Sequence, residues 1–224
     1  MIMDVGRNYQ FSDAQLIRIG SEIKNLLPLY MRQLTDHTPA INEDFLIQFQ
    51  RTLKEAKSVP ATDSLDEEIT LLEEEIKEKM ENACMVFRSL RLYIQAAFPH
   101  DGRVWEQLGF RDYQRASTSR NQMLMKLQEL QHLVEKHRAA LQVVHCPPDY
   151  YWQIRVLRAE LQSMGQKLNE KLVEQKRLQS LKLARMNALY AKLLIISDVA
   201  KKVFANQPQV LEMFKLPKHL AAAV

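Results

Sequence analysis

The sequence predicts an all-α protein, and three observations carry that prediction. Glycine is scarce, at 5 of 224 residues, which leaves few places for hairpins, bulges or phosphate loops and argues against an all-β or Rossmann-like chain. Apolar residues recur at steps of three and four over long stretches, the spacing of one helix face. These stretches also return in the same order in the second half of the chain. The expected architecture is therefore a helical bundle of two tandem repeats, each of about three helices plus a short terminal helix. The first repeat covers 1–116 and the second 117–224, packed as one cooperative domain. A hydrophobic content of 46% and a charged content of 26% are ordinary for a globular chain.

The first helix carries Leu16, Ile17, Ile23, Leu26, Leu27 and Leu34, and Asp36-His37-Thr38-Pro39 follows as a loop. A middle helix is expected near Asn42–Ser58, and the linker Ser58-Val59-Pro60-Ala61-Thr62 ends it. The third helix has the clearest pattern: Leu65, Ile69, Leu72, Ile76, Met80, Ala83, Phe87, Leu90 and Ile94 form one unbroken stripe. Asp63 is placed to cap it, and Asp66, Glu67 and Glu68 favour the positive end of the helix dipole. Pro99 closes it, so the helix runs from about Asp63 to Ala97. Asp101 then caps a short helix through Arg103, Val104 and Trp105.

Ser117 or Ser119 opens the second repeat. Met123, Leu124, Leu130, Leu133, Val134 and Leu141 follow the first-helix residues at an offset of 107. His145-Cys146-Pro147-Pro148 stands where the first loop stood, and a middle helix is expected near Asp149–Met164. Met186, Leu189, Leu193, Ile196, Ala200 and Val203 follow Met80, Ala83, Phe87, Leu90, Ile94 and Ala97 at an offset of 106. The same offset carries Phe98 to Phe204 and Val104 to Val210. The middle helices agree at no single offset. Gly165 falls where the first repeat has its linker, but one glycine need not break a helix, so the segment from Tyr150 to Phe204 can run nearly continuously. Pro208 suits the first turn of the final short helix.

None of this assigns a catalytic residue, a metal ligand or a cofactor. Glu129 and His132 share a helix face, as carboxylate and imidazole do in di-iron bundles. Such a site needs a second Glu-x-x-His pair, and the chain offers only one copy; a solvated helix face is the simpler reading. His145 beside Cys146 suggests an activated thiolate, yet no third group orients the histidine and two prolines follow. Cys84 sits in the apolar stripe as a core thiol. Tyr150-Tyr151-Trp152 cannot all enter one pocket, so one or two rings are expected in the core and one at its rim; a ligand or peptide groove is the sharper alternative. Met80, Met85, Met123, Met125, Met164 and Met186 are read mostly as core fillers.

Charge is uneven. Residues 1–112 carry 13 Lys/Arg against 19 Asp/Glu, whereas 113–224 carry 18 against 8. Lys167, Lys171, Lys176, Arg177, Lys182, Arg185, Lys192, Lys201 and Lys202 lie along one helix but spread around it, which favours internal pairing with the acidic third helix over a phosphate-tracking stripe. Arg111, Arg115 and Arg120, with Arg88 and Arg91, form a second basic group at the repeat junction. No secretory stretch or membrane span is seen, and two cysteines make no disulfide framework, so a cytoplasmic protein is expected. The expected function is a non-enzymatic scaffold or protein-interaction module, with the same chain or another protein as partner, without membrane or nucleic acid. The alternative is a small-molecule- or metal-binding bundle drawing on Glu129, His132, Tyr151 and Trp152. A third reading is weak nucleic-acid or anionic-surface binding through the basic second half.

Overall fold

The computed structural model describes residues 6–107 and 116–217. Among these residues the chain is all-α, with eight helices and no strand: α1 (Asp13–His37), α2 (Glu43–Lys57), α3 (Asp63–Ala97), α4 (Gly102–Gln107), α5 (Arg120–Lys136), α6 (Arg138–Val143), α7 (Tyr150–Val203) and α8 (Pro208–Met213). None of them is long and apolar enough to cross a membrane.

Side-chain caps fix several of the boundaries. Ser12 and Gln15 form a reciprocal capping box at the start of α1, with bonds of 3.1 and 3.2 Å. The Asn42 side chain accepts from the Phe45 amide at 3.0 Å to start α2. Asp101 accepts from the amides of Arg103 and Val104, which starts α4 as the sequence predicts. Ser119 occupies the N-cap of α5, but its side chain makes no capping bond. α1 passes through Pro28, giving up one internal hydrogen bond on its exposed side. The opening helix of the second half is interrupted at His137, which separates α5 from α6.

α7 is unbroken over 54 residues, Gly165 included. The glycine is there for space: a Cβ at Gly165 would lie 2.3 Å from the guanidinium carbon of Arg120, whose side chain rests against the helix at that point.

The chain forms two compact units. One takes the chain up to Thr62 and again from Gln175; the other is Asp63–Glu174. Neither coincides with the sequence halves 1–116 and 117–224. The first unit packs α1 and α2 against the C-terminal part of α7 and α8. Its core includes Leu16, Ile23 and Leu27 of α1, Phe49 of α2, and Leu189 and Leu193 of α7. Phe204 and Phe214 stack at 5.7 Å, and the Tyr30 ring meets both edge-on. The second unit packs α3 and α4 against α5, α6 and the start of α7. Here Phe87, Leu90 and Ile94 meet Met123, Leu127 and Leu130, with Ile154 and Leu161 from α7.

A strap precedes α1. Tyr9 is buried between Phe11 and Tyr190, and its hydroxyl donates to Asp13 at 2.6 Å. Asn187, buried on α7, accepts from the Asn8 amide and donates to the Gly6 carbonyl. Asp13 also pairs with Arg7 and Lys182, each at 2.9 Å. Burial alone would raise the Asp13 carboxyl, but the hydrogen bonds from Tyr9 and Lys182 outweigh it and hold the group below the ordinary range. Tyr9 is pushed the other way, by burial and then by Asp13.

In the second unit Lys171 pairs with Glu68, and Lys79 pairs with Glu160 at 2.7 Å. Residue numbers rise on α3 as they fall on α7, so the two helices run antiparallel through this stretch.

The two helical glycines should respond differently to alanine. At Gly20 a Cβ meets the Leu53 methyl at 2.9 Å with Leu189 behind it, so overpacking of about 1–3 kcal/mol outweighs a gain of roughly 1 kcal/mol in helix propensity. Gly20→Ala should therefore lower the unfolding midpoint. At Gly165 the obstacle is the end of an arginine side chain that can swing aside. Gly165→Ala should leave the midpoint unchanged or raise it, as read by thermal melts followed by circular dichroism.

Candidate functional site

The turn that joins α6 to α7 builds one wall of a surface cleft in the second unit. After α6 the chain turns through His145, whose φ of 56° is the left-handed conformation usually given to glycine. The His145 amide reaches back to the Gln142 carbonyl and the Cys146 amide to the Leu141 carbonyl, both at 3.0 Å. This is the Schellman arrangement, and it turns Cys146 inward. Pro147 and Pro148 then lead into Asp149 and the first turn of α7.

A cleft of about 400 Å³ lies between this turn and helices α5 and α6. Val134, Leu141 and Cys146 give it apolar walls. Tyr151 and Trp152 contribute aromatic faces, and Glu135, Arg138 and Asp149 add charge. Tyr151 is half-buried and its hydroxyl lies 3.5 Å from the Gln131 amide nitrogen. Trp152 is 59% exposed, with the Tyr151 ring edge-on at 6.0 Å and the Arg155 guanidinium over it at 5.2 Å. Tyr150 turns away to meet Tyr93 of α3 at 5.8 Å. Of the three adjacent aromatics, Tyr151 and Trp152 thus line the cleft and Tyr150 packs against α3.

The remaining sequence candidates do not converge here. Glu129 pairs with Lys126 at 2.8 Å, and His132 is exposed on α5. Among the described residues no group of three or more His, Cys, Asp or Glu side chains is arranged to hold a metal ion. Cys146 is buried, its sulfur 3.9 Å from the Pro147 carbonyl, and burial pushes its thiol up, away from the thiolate. Met80, Met123 and Met186 fill cores, but Met85 and Met125 are exposed. Arg111 and Arg115 lie outside the described residues, Arg88 and Arg91 are exposed, and Arg120 lies along α7.

The basic residues of α7 are partly engaged within their own units. Lys171 meets Glu68, Lys182 meets Asp13, and Lys201 meets Asp198. Arg185 donates to the Glu55 carbonyl and the Ser58 hydroxyl at the end of α2.

Glu135, Arg138 and Asp149 were not singled out by the sequence reading. Their only signal is position, beside a Cys-Pro-Pro turn that closes one helix and opens the next. Comparison with protein-family models, with curated proteins and with solved structures finds no match, so function must be argued from this geometry.

Two measurements probe the surroundings of the cleft. His145→Gly removes left-handed strain of about 1–2 kcal/mol and adds roughly 0.4–1 kcal/mol of unfolded-chain entropy. It should stabilise the protein modestly in denaturant unfolding. His137 is the second probe. Its Nε2 is buried without a hydrogen-bond partner among the described residues, and its ring meets Phe98 edge-on at 4.8 Å. Burial first, and Lys136 second, depress its pKa, so the folded state resists protonation. Stability should fall as pH drops through the ordinary histidine range near about 6.5. His137→Gln should flatten that part of the pH–stability curve.

Proposed function

We propose that this chain is a non-catalytic protein-interaction module of the cytoplasm, and that the cleft beside Trp152 receives an apolar side chain of a partner segment. The observation that carries the reading is an indole left 59% exposed at the mouth of an apolar cleft, yet held in orientation by Tyr151 and Arg155. Binding energy at protein interfaces concentrates on Trp, Tyr and Arg side chains that fill or border pockets. Val156, one turn along α7, extends the exposed apolar face. Glu135, Arg138 and Asp149 would fix the direction in which a partner lies. The buried thiol of Cys146 supports a binding role over nucleophilic chemistry. A second reading, small-molecule binding, is favoured by the cleft volume, which falls within the range of ligand pockets.

The architecture supports the proposal that the fold arose by duplication. Each core draws two helical segments from one half of the sequence and its third from the other. Met80 and Met186, Phe87 and Leu193, and Ile94 and Ala200 are all buried. On this reading the third helices of the two repeats have changed places.

The two tryptophans allow a direct test. Trp105 is half-buried and donates to the Phe98 carbonyl at 3.0 Å, so Trp105→Phe leaves Trp152 as the only indole. Peptides selected from a random display library against the full chain should shift Trp152 emission. Trp152→Ala should weaken their binding by about 2 kcal/mol or more. It should change stability by less than about 0.5 kcal/mol, as for other exposed positions. A small molecule released from the purified protein on denaturation and identified by mass spectrometry, with no peptide dependent on Trp152, would favour the second reading.

A further inference from the structure

The first unit holds a second hollow, between α1 and α2, whose chemistry is the opposite of the aromatic cleft. It is an open depression of about 550 Å³, and its walls carry Lys24 of α1 with Arg51, Lys54 and Lys57 of α2. No carboxylate lines it. Arg51 is steadied by Glu55 at 2.9 Å, whereas Lys24, Lys54 and Lys57 make no ion pair or side-chain hydrogen bond among the described residues. The helix dipole accounts for Lys54 and Lys57, which lie in the last turn of α2. It does not account for Lys24 in the middle of α1 or for Arg51, and like charges three residues apart on a helix repel.

Further cations approach α2 from α7: Arg185 bonds to the Glu55 carbonyl, and Lys192 lies over the Phe45 ring at 5.1 Å. The whole unit has 16 Lys/Arg against 9 Asp/Glu, a net +7, while the other has 15 against 18, a net −3. The field therefore draws anions toward the first unit, and a concave site concentrates them.

We propose that this hollow binds a small soluble anion carrying two or more phosphate groups. Three lysines act as point charges and the Arg51 fork adds directional donors, a combination matched to a compact, multiply charged oxyanion. Ile47, 63% exposed, offers apolar contact to an organic remainder. The site is independent of the cleft at Trp152 and lies in the other unit.

Calorimetric titration of the full chain with inorganic tripolyphosphate, at about 50 mM salt where such contacts are strong, tests the proposal. One-site binding is expected, with sulfate binding far more weakly. Lys54→Gln combined with Lys57→Gln, and separately Lys24→Gln, should each weaken tripolyphosphate at least about tenfold with the helical circular dichroism unchanged. Lys201→Gln combined with Lys202→Gln, elsewhere on the same unit, should leave the affinity within about twofold. Absence of binding overturns the proposal, as does an equal loss in the Lys201/Lys202 variant, which would mean diffuse attraction to a basic surface. A single-stranded oligonucleotide that binds more tightly than tripolyphosphate through the same lysines would also overturn it, in favour of a nucleic-acid groove.

Discussion

α7 runs unbroken from Tyr150 to Val203, and its two ends belong to different cores. Ile154, Leu157 and Leu161 are spaced for one core; Met186, Leu189, Leu193, Ile196 and Ala200 are spaced for the other. Neither unit has a complete third wall without its share of this helix. Gly165 lies on the part of α7 that belongs to the second unit. The residue with the weakest helix propensity after proline stands in the interior, and the ladder continues through it. What the missing side chain provides is room for Arg120 against the helix surface.

The individual helices were legible because their signals are local. The stripe from Leu65 to Ile94, the Asp101 cap and the Pro208 start each depend on residues within a few turns, and the structure has α3 at Asp63–Ala97 and α8 beginning at Pro208. Partnership was not legible. Periodicity identifies which face of a helix is apolar but not what it will meet, so nothing in the pattern at Phe87 or Leu193 says which helices lie opposite. The strap was missed for a similar reason. Tyr9 and Asn187 are polar-capable residues about 180 positions apart, and only the folded chain shows one buried beside Tyr190 and the other holding the Asn8 and Gly6 backbone.

The candidate site shows the same limit. The aromatic triplet at Tyr150 was visible, and so was the impossibility of burying all three rings on one side of a helix. The cleft itself was not, because concavity comes from the turn before α7. Its shape follows from His145 adopting a conformation that its residue type does not favour, and that turn sends Cys146 inward and Asp149 to the rim. The proximity of His145 and Cys146 in sequence, which suggested a reactive pair, is thus a consequence of helix termination.

Charge gives the clearest case of a sequence property that folding redistributes. Counted along the chain, the first half is acidic and the second basic. Counted by compact unit, the residues before Thr62 join the basic C-terminal stretch, and the acidic α3 joins the middle of the chain. The Lys171–Glu68 and Lys79–Glu160 pairs then reconcile part of α7 with α3 inside the acidic unit. Among the described residues the other unit has no equivalent acidic helix, and its 16 Lys/Arg against 9 Asp/Glu leave it a net +7. Lys24, Arg51, Lys54 and Lys57 gather around one hollow there. Exposed ion pairs contribute little to stability, so the arrangement matters less for holding the fold together than for what each unit attracts. The acidic unit presents an oriented indole beside an apolar cleft, and the basic unit presents a cationic hollow. The two proposed sites share no residue and lie in different units, so each proposal stands or falls by itself.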